Sequence, residues 1–123
     1  MVVIDTNIIV SAIRKHEMAL SLLRRNKGNA FISMVTKIEL SVGATDKAKK
    51  DAVSAVIATH DLLPLSKQIG ERALQLVELY STPQRRLFLP DALIAATYIE
   101  HNAALLTFNV KDFSFIKGLR LAK

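Results

Sequence analysis

The chain of 123 residues has no cysteine, only three prolines and four glycines, and no long hydrophobic run. Without cysteine it can form neither a disulfide nor a thiolate metal site. No apolar stretch approaches the roughly 18 residues that a membrane-spanning helix needs. The first ten residues also lack the basic segment that precedes the apolar core of a signal peptide. We therefore expect a cytoplasmic protein that does not contact a membrane.

Several common catalytic and cofactor motifs are missing as well. The four glycines are too scattered to form a phosphate-binding loop, and no Gly-x-Ser-x-Gly motif marks a nucleophilic serine. The three histidines have no zinc-ligand spacing (His16, His60 and His101). These absences argue against P-loop, nucleophilic and zinc-dependent chemistry.

The residues that are present favour one compact α/β domain over residues 1–123. Half of them are hydrophobic, which is enough for a buried core. Short β-branched segments alternate with amphipathic ones. The pattern predicts strands at 2–5, 30–33, 61–65 and 103–107, a candidate strand at 118–122, and helices at 6–15, 17–26, 36–44, 46–59, 67–81 and 90–102. Such alternation predicts a three-layer α/β/α sandwich with a central, mainly parallel sheet.

Acidic residues occupy unusual places in this pattern. Asp5 interrupts an apolar segment at the carboxyl end of the first strand, the edge where open α/β sheets bind ligands. Glu39 shares the helical spacing of Val35, Ile38 and Val42, which predicts that it lies on an inward-facing stripe. A surface acid would not be expected in either position.

Two further segments repeat this arrangement. Asp91 opens a helix whose next apolar residues follow on the same face (Ile94, Ala95 and Tyr98). Thr107, Asn109 and Asp112 come just after the predicted strand at 103–107. Several elements of the chain therefore direct an oxygen atom inward or to a strand end.

Each acid taken alone has a simple structural explanation. Asp5 and Asp91 are suited to cap helix N-termini. Glu39 could pair with a lysine or arginine, and Asn109 and Asp112 could shape a turn. Taken together, however, converging carboxylates repel one another unless a cation lies between them. Mg²⁺ or Mn²⁺, which prefer carboxylate oxygens and water, would remove that repulsion.

These residues carry a family resemblance. The segments "VVIDTNII", "TKIEL" and "PDALIAATYIEHNAALLTFNVKDF", in that order, resemble the PIN domain, and at this length the VapC-type toxins of toxin–antitoxin pairs. The resemblance spans essentially the whole chain. It implies an endoribonuclease that depends on Mg²⁺ or Mn²⁺, forms a homodimer, and is neutralised by a small VapB-type antitoxin.

The resemblance also implies roles for particular residues. Asp5, Glu39 and Asp91 match the acidic triad of the family and are the expected metal ligands. Asn109 stands where many relatives have aspartate. Either Asn109 itself or Asp112, three residues later, fills this fourth position, and Asp112 is favoured because it would supply the missing charge. Thr6 and Thr107 are expected to support the carboxylates with their hydroxyl groups.

The charge of the chain agrees with a polyanionic substrate. Lysine and arginine total 17 against 11 acids, a formal net charge of +6. Arg14–Lys15 and Arg85–Arg86 are the pairs we predict to bind the RNA backbone, although a solvated basic face would look the same. The remaining alternatives are another PIN-type nuclease and a non-catalytic, RNA-binding PIN-like domain.

Overall fold

A computed structural model of the chain describes residues 1–122. Four short strands and six helices alternate along the sequence. The strands are β1 (Val2–Ile4), β2 (Ala30–Ser33), β3 (Asp61–Leu63) and β4 (Ala104–Leu106). The helices are α1 (Thr6–Ile13), α2 (Glu17–Arg25), α3 (Met34–Gly43), α4 (Lys47–Ala58), α5 (Lys67–Tyr80) and α6 (Leu89–Glu100), and a short 3₁₀ helix covers Val110–Asp112.

The four strands form one parallel sheet in the order β3-β2-β1-β4. Val3 of the central strand β1 pairs with Phe31 on one side and with Leu105 on the other. Because all strands run in the same direction, their carboxyl ends lie at one edge of the sheet. The segments that follow β1, β2 and β4 therefore begin next to one another.

Both faces of the sheet are covered, as the predicted sandwich requires. Val3 and Leu105 point to the face packed against α5 and α6, where Ile94 and Phe113 are also buried. The neighbouring residues of the strands point to the opposite face and pack with α1, α2 and α4 (Val2, Ile4, Ile32 and Leu106). The uninterrupted apolar character of the strands follows from this burial on two faces.

Element boundaries differ from the prediction by one or two residues at several places. Helix α1 ends at Ile13, and Lys15 then adopts a left-handed backbone with φ of 65°. Helix α3 begins two residues earlier than predicted because Ser33 caps it, accepting a hydrogen bond of 3.2 Å from the Thr36 amide. Residues 118–122 contribute a single parallel bridge between Leu105 and Leu121 rather than a full strand.

Within residues 1–122, none of the helices is both long enough and apolar enough to cross a bilayer.

Candidate active site

Asp5 lies where β1 ends and α1 begins, and its carboxylate is buried. One carboxylate oxygen accepts a hydrogen bond of 2.8 Å from the Thr6 amide, as an N-cap does. The other accepts a bond of 2.7 Å from the hydroxyl of Thr107, just after β4. Asp5 is therefore both the cap of α1 and an acid fixed at the carboxyl edge of the sheet.

Glu39 is brought to the same edge by α3. Its Oε1 accepts a hydrogen bond of 2.7 Å from the hydroxyl of Thr6. The Thr6 and Thr36 hydroxyl oxygens lie 3.0 Å apart, and Ser33 donates to Thr36 over 3.3 Å. No lysine or arginine pairs with Glu39 within residues 1–122. Thr6 thus links two acids, with its amide bonded to Asp5 and its hydroxyl to Glu39.

The predicted inward stripe of α3 was wrong. Val35 is buried, but Ile38 is 50% exposed and Val42 is 75% exposed. The buried residues of the helix are Val35, Thr36 and Leu40, and Glu39 lies half-buried beside them. The hydroxyl network of Ser33, Thr6 and Thr36 makes it possible to bury Thr36, so the helix presents a threonine to the interior and leaves two aliphatic residues in solvent.

Asp91 occupies the first turn of α6, whose N-cap is Phe88. The capping explanation therefore does not apply to Asp91, which is not at the cap position. Its half-buried carboxylate forms no hydrogen bond or ion pair with the residues that the structure describes. The face of α6 below it is buried as predicted (Ile94, Ala95 and Tyr98).

Asn109 and Asp112 follow β4 in an exposed segment, and they contribute in different ways. The backbone amide of Asn109 donates a hydrogen bond of 2.9 Å to the Thr107 hydroxyl oxygen, and thereby supports the group that holds Asp5. The carboxylate of Asp112 is close enough to raise the pKa of both Asp5 and Asp91. This difference favours Asp112 over Asn109 as the fourth acidic group.

Burial and the charges of neighbouring acids raise the pKa of Asp5 and of Asp91. Burial raises the pKa of Asp5, against the lowering effect of its hydrogen bonds to Thr107 and Thr6, and the charges of Glu39 and Asp112 raise it further. Burial is also the largest cause for Asp91, followed by the charges of Asp5, Asp112 and Glu39, and the pKa of Asp91 rises from 3.8 to about 6. The four acids therefore share one electrostatic environment.

Asn7 is a site residue that the sequence analysis did not single out. Its Oδ1 accepts a hydrogen bond of 3.3 Å from the Phe108 amide, which ties α1 to the segment after β4. Its Nδ2 is buried and has no partner among residues 1–122. The only sequence signal was its position two residues after Asp5, inside the motif Asp5-Thr6-Asn7.

The two predicted basic pairs differ in whether their side chains already form contacts within the protein. Arg14 and Lys15 are exposed at the end of α1. Arg85 is already engaged: its guanidinium donates to the Tyr80 carbonyl and lies 4.1 Å from the centre of the Phe115 ring. Its first role is therefore to hold the segment before α6, which makes it a weaker candidate than Arg14 and Lys15. Arg86 is exposed.

The family model of the PIN domain matches residues 2–118. The chain belongs to the PIN domain family.

Individual PIN proteins resemble it over almost their full lengths. Ribonuclease VapC1 of Rickettsia felis is 31% identical over 130 residues, covering 97% of this chain and 92% of its own. Ribonuclease VapC10 of Mycobacterium tuberculosis is 29% identical over 122 residues, covering 98% and 91%. Both alignments therefore cover nearly all of this chain.

Solved PIN structures show the same fold. A chain of a toxin–antitoxin complex from Klebsiella pneumoniae is 30% identical, with a TM-score of 0.83, covering 97% of this chain and 95% of that one. VapBC2 from Rickettsia felis, bound to a DNA fragment from its promoter, gives a TM-score of 0.87 at 25% identity, covering 99% and 98%. The predicted α/β/α architecture is confirmed.

The donor groups of this PIN domain fit a hard divalent cation. The four acids offer carboxylate oxygens, and none of them forms an ion pair within residues 1–122. Over the same range, no group of three or more histidine, aspartate or glutamate side chains is close enough to hold a metal ion as placed. The chemistry of the site therefore fits, and the side chains would have to draw together around an ion.

We expect Asp91→Asn to stabilise the metal-free protein at neutral pH. The folded-state pKa of about 6 exceeds the ordinary value of 3.8, so wild type loses stability as pH rises from 4 to 6. A full shift of this size would correspond to about 3 kcal/mol, but solvent screens the half-exposed group, and we expect about 1 kcal/mol above pH 6. Urea unfolding in EDTA at several pH values measures the difference.

The matched control for this experiment is Asp51→Asn, which removes an exposed acid paired only with Lys47 on α4. Its stability relative to wild type should show no comparable change between pH 4 and 6. A loss of metal-free stability in Asp91→Asn across this range would instead assign Asp91 a purely structural role in starting α6.

Proposed function

We propose that this PIN domain is a metal-dependent endoribonuclease of the VapC type, which hydrolyses phosphodiester bonds of RNA. The observation that carries the proposal is the group of four acids at the carboxyl edge of the sheet, which lack cationic partners within residues 1–122. Burial raises the pKa of Asp5 and Asp91, and the charges of the other acids in the group raise both pKa values further. A divalent cation bound among such carboxylates would offset their mutual repulsion. The relatives named as ribonucleases support RNA as the substrate.

In this mechanism Asp5, Glu39 and Asp91 would hold the ion, Mg²⁺ or Mn²⁺. When bound, such an ion offsets phosphoryl charge and makes water a stronger acid. The protein's own groups fix the acids: Thr107 and the Thr6 amide orient Asp5, while the Thr6 hydroxyl orients Glu39. Asp112, which is exposed, would accept a hydrogen bond from water that approaches the phosphate.

Metal dependence is the experiment that tests the proposal. Purified protein should cleave RNA with Mg²⁺ or Mn²⁺, lose cleavage in excess EDTA, and regain it when either ion is added in excess of the chelator. A zinc-selective chelator should have little effect, because the site offers neither cysteine nor histidine ligands. Cleavage that persists in excess EDTA would overturn the proposed chemistry.

The alternatives give different results in the same assay. A non-catalytic RNA-binding domain would bind RNA without cleaving it at any metal concentration. Another kind of PIN-type nuclease would depend on metal but would prefer a substrate other than RNA. Comparing matched RNA and DNA oligonucleotides with Mg²⁺ separates these possibilities.

An antitoxin of the VapB type is the protein partner that we propose for this chain. Two of the solved relatives are toxin–antitoxin or VapBC assemblies. A groove of about 590 Å³ between α1, α2 and α4 offers an apolar floor with a basic rim (Ile13, Leu20, Leu23, Val56, Lys15 and Arg24). A groove of this kind suits an amphipathic segment that carries acidic residues. Co-purification with a VapB-type protein should suppress RNA cleavage.

We also propose that the chain forms a homodimer. In the proposed dimer a second copy of the chain would cover aliphatic side chains of α3 and α5 such as Val42, Leu74 and Leu79, which are 60–75% exposed. Sedimentation equilibrium should give twice the mass of 13.6 kDa. A single-chain mass at micromolar concentration would contradict this assignment without affecting the proposed chemistry.

The free basic pair provides a further prediction. Replacing Arg14 and Lys15 together by Gln should weaken RNA binding and reduce the log–log salt slope by about 0.7 for each lost phosphate contact. The control is Lys47→Gln with Lys67→Gln, which removes two charges already balanced by Asp51 and Glu71. An unchanged slope in the Arg14/Lys15 variant would return that pair to the role of a solvated surface.

A further inference from the structure

An exposed aromatic residue directly follows the threonine that holds Asp5. Phe108 follows Thr107, whose hydroxyl holds Asp5, and its own amide is bonded to Asn7 of α1. Its side chain remains 38% exposed, and it belongs to neither of the two buried clusters on the sheet faces. The backbone at this point is fixed to the site, while the ring is left facing solvent.

The Phe108 ring is supported from one side. His16, in the turn between α1 and α2, contacts it with ring centres 5.9 Å apart and planes at 69°, an edge-to-face arrangement. A contact of this geometry covers at most one of the two faces of the phenylalanine ring. The ring is therefore held in place and still offers a flat surface.

The support for the ring comes from a basic turn. Arg14 and Lys15, immediately before His16, are exposed, and the left-handed backbone of Lys15 forms the turn that returns His16 towards Phe108. The Phe108 ring thus contacts the residue that follows this pair of cations, and Arg14 also lines a pocket together with Glu39 of the acidic group. This is the combination that single-stranded nucleic acids bind: aromatic faces for bases and cations for phosphates.

We propose that Phe108, positioned by His16, stacks on an unpaired base next to the phosphodiester bond that is cleaved. The inference rests on the proposed endoribonuclease function and adds to it a residue that positions the RNA next to the acidic group. Bases in an RNA helix are stacked on their neighbours, and only an unpaired base can be turned onto a protein ring. Stacking tolerates any base, so this contact selects unpaired RNA rather than a sequence.

The experiment measures kcat/KM with Mg²⁺ on a single-stranded oligonucleotide that contains one cleavage site. Phe108→Ala should lower kcat/KM by about 5- to 150-fold, the range that loss of one base–aromatic stack produces. Phe108→Trp should stay within about twofold of wild type because it keeps a ring. Val110→Ala is the matched control, since Val110 lies two residues away in the same segment and is 41% exposed.

A second set of substrates tests the contact directly. Each nucleotide near the cleavage site is replaced in turn by an abasic one, and wild type should show one position at which the loss equals that of Phe108→Ala. The variant should show no further loss at that position, because the same contact is already missing. If Phe108→Ala folds poorly, Phe108→Leu, which keeps an apolar side chain but has no ring, takes its place in the same scan.

The outcomes separate this inference from the function on which it rests. A wild-type protein that cleaves no RNA with Mg²⁺ or Mn²⁺ removes the proposed function itself. A wild-type protein that cleaves RNA but shows no abasic-sensitive position overturns only the role of Phe108. Equal losses in Phe108→Ala and Val110→Ala would likewise overturn it, because a general disturbance of the segment would then explain both.

Discussion

Asp91→Asn is expected to lower RNA cleavage at saturating Mg²⁺ by about 10³-fold, which corresponds to about 4 kcal/mol of lost transition-state stabilisation. The asparagine keeps the size of the side chain but removes its charge. Asp91 forms no hydrogen bond or ion pair within residues 1–122 and does not cap α6, so the substitution removes no visible structural contact. We therefore expect losses in activity and metal affinity, with no loss of folding and with the gain in metal-free stability described above.

Three measurements on one preparation decide this prediction. Cleavage of a single-site oligonucleotide gives the loss of activity, titration with Mn²⁺ gives the loss of metal affinity, and circular dichroism reports folding. Asp51→Asn, an exposed acid on α4, should match wild type in all three. Wild-type activity in the Asp91→Asn protein would show that Asp91, the acid without a hydrogen bond or ion pair within residues 1–122, takes no part in catalysis.

The sequence was sufficient to predict the sheet and the position of two acids. Asp5 and Asp91 were placed correctly because each adjoins a strongly patterned apolar segment, the buried strand β1 and the buried face of α6. A polar residue at the end of such a buried segment is restricted to positions at the edge of the core. The parallel arrangement then determined that the ends of β1 and β4 meet, which brings Thr107 to Asp5.

The orientation of α3 could not be predicted in the same way. Hydrophobicity alone places Ile38 and Val42 inside and Thr36 outside, whereas the structure has the reverse. Thr36 is buried because its hydroxyl finds partners in Ser33 and Thr6, and those partners come from other elements of the chain. Glu39, which was predicted to lie on that inward stripe, is half-buried, because residues 35, 36, 39 and 40 share one side of the helix.

Long-range contacts also changed the interpretation of single residues. Nothing in the local sequence of Arg85 indicates that its guanidinium contacts the ring of Phe115, thirty residues later. Nor does the local sequence of His16 indicate its contact with Phe108. Both contacts depend on how the segments around β4 pack against earlier helices, which no periodicity in one segment can encode.

The fourth acidic position gives the second large effect. Asp112→Asn is expected to lower cleavage by about 10²-fold, since one oriented carboxylate contributes about 2.7 kcal/mol. Its charge raises the pKa of both Asp5 and Asp91, so it acts on the centre of the site from the exposed rim. Asn109→Ala should stay within a few-fold of wild type. Its known contact is the backbone amide bonded to Thr107, which alanine retains.

Comparing the two single variants at saturating Mg²⁺ decides between these residues, with folding checked by circular dichroism. If Asn109 were the group that acts in the site, the order would reverse, because asparagine at position 112 serves the 3₁₀ turn about as well as aspartate does. Asn109→Asp is the informative third variant. It adds a carboxylate to the rim, so in the background of Asp112→Asn it should restore part of the lost activity if a charge in this segment is what the chemistry requires. Wild-type activity in both single variants would place the segment after β4 outside the catalytic chemistry, leaving Thr107 and its bond to Asp5 as its contribution.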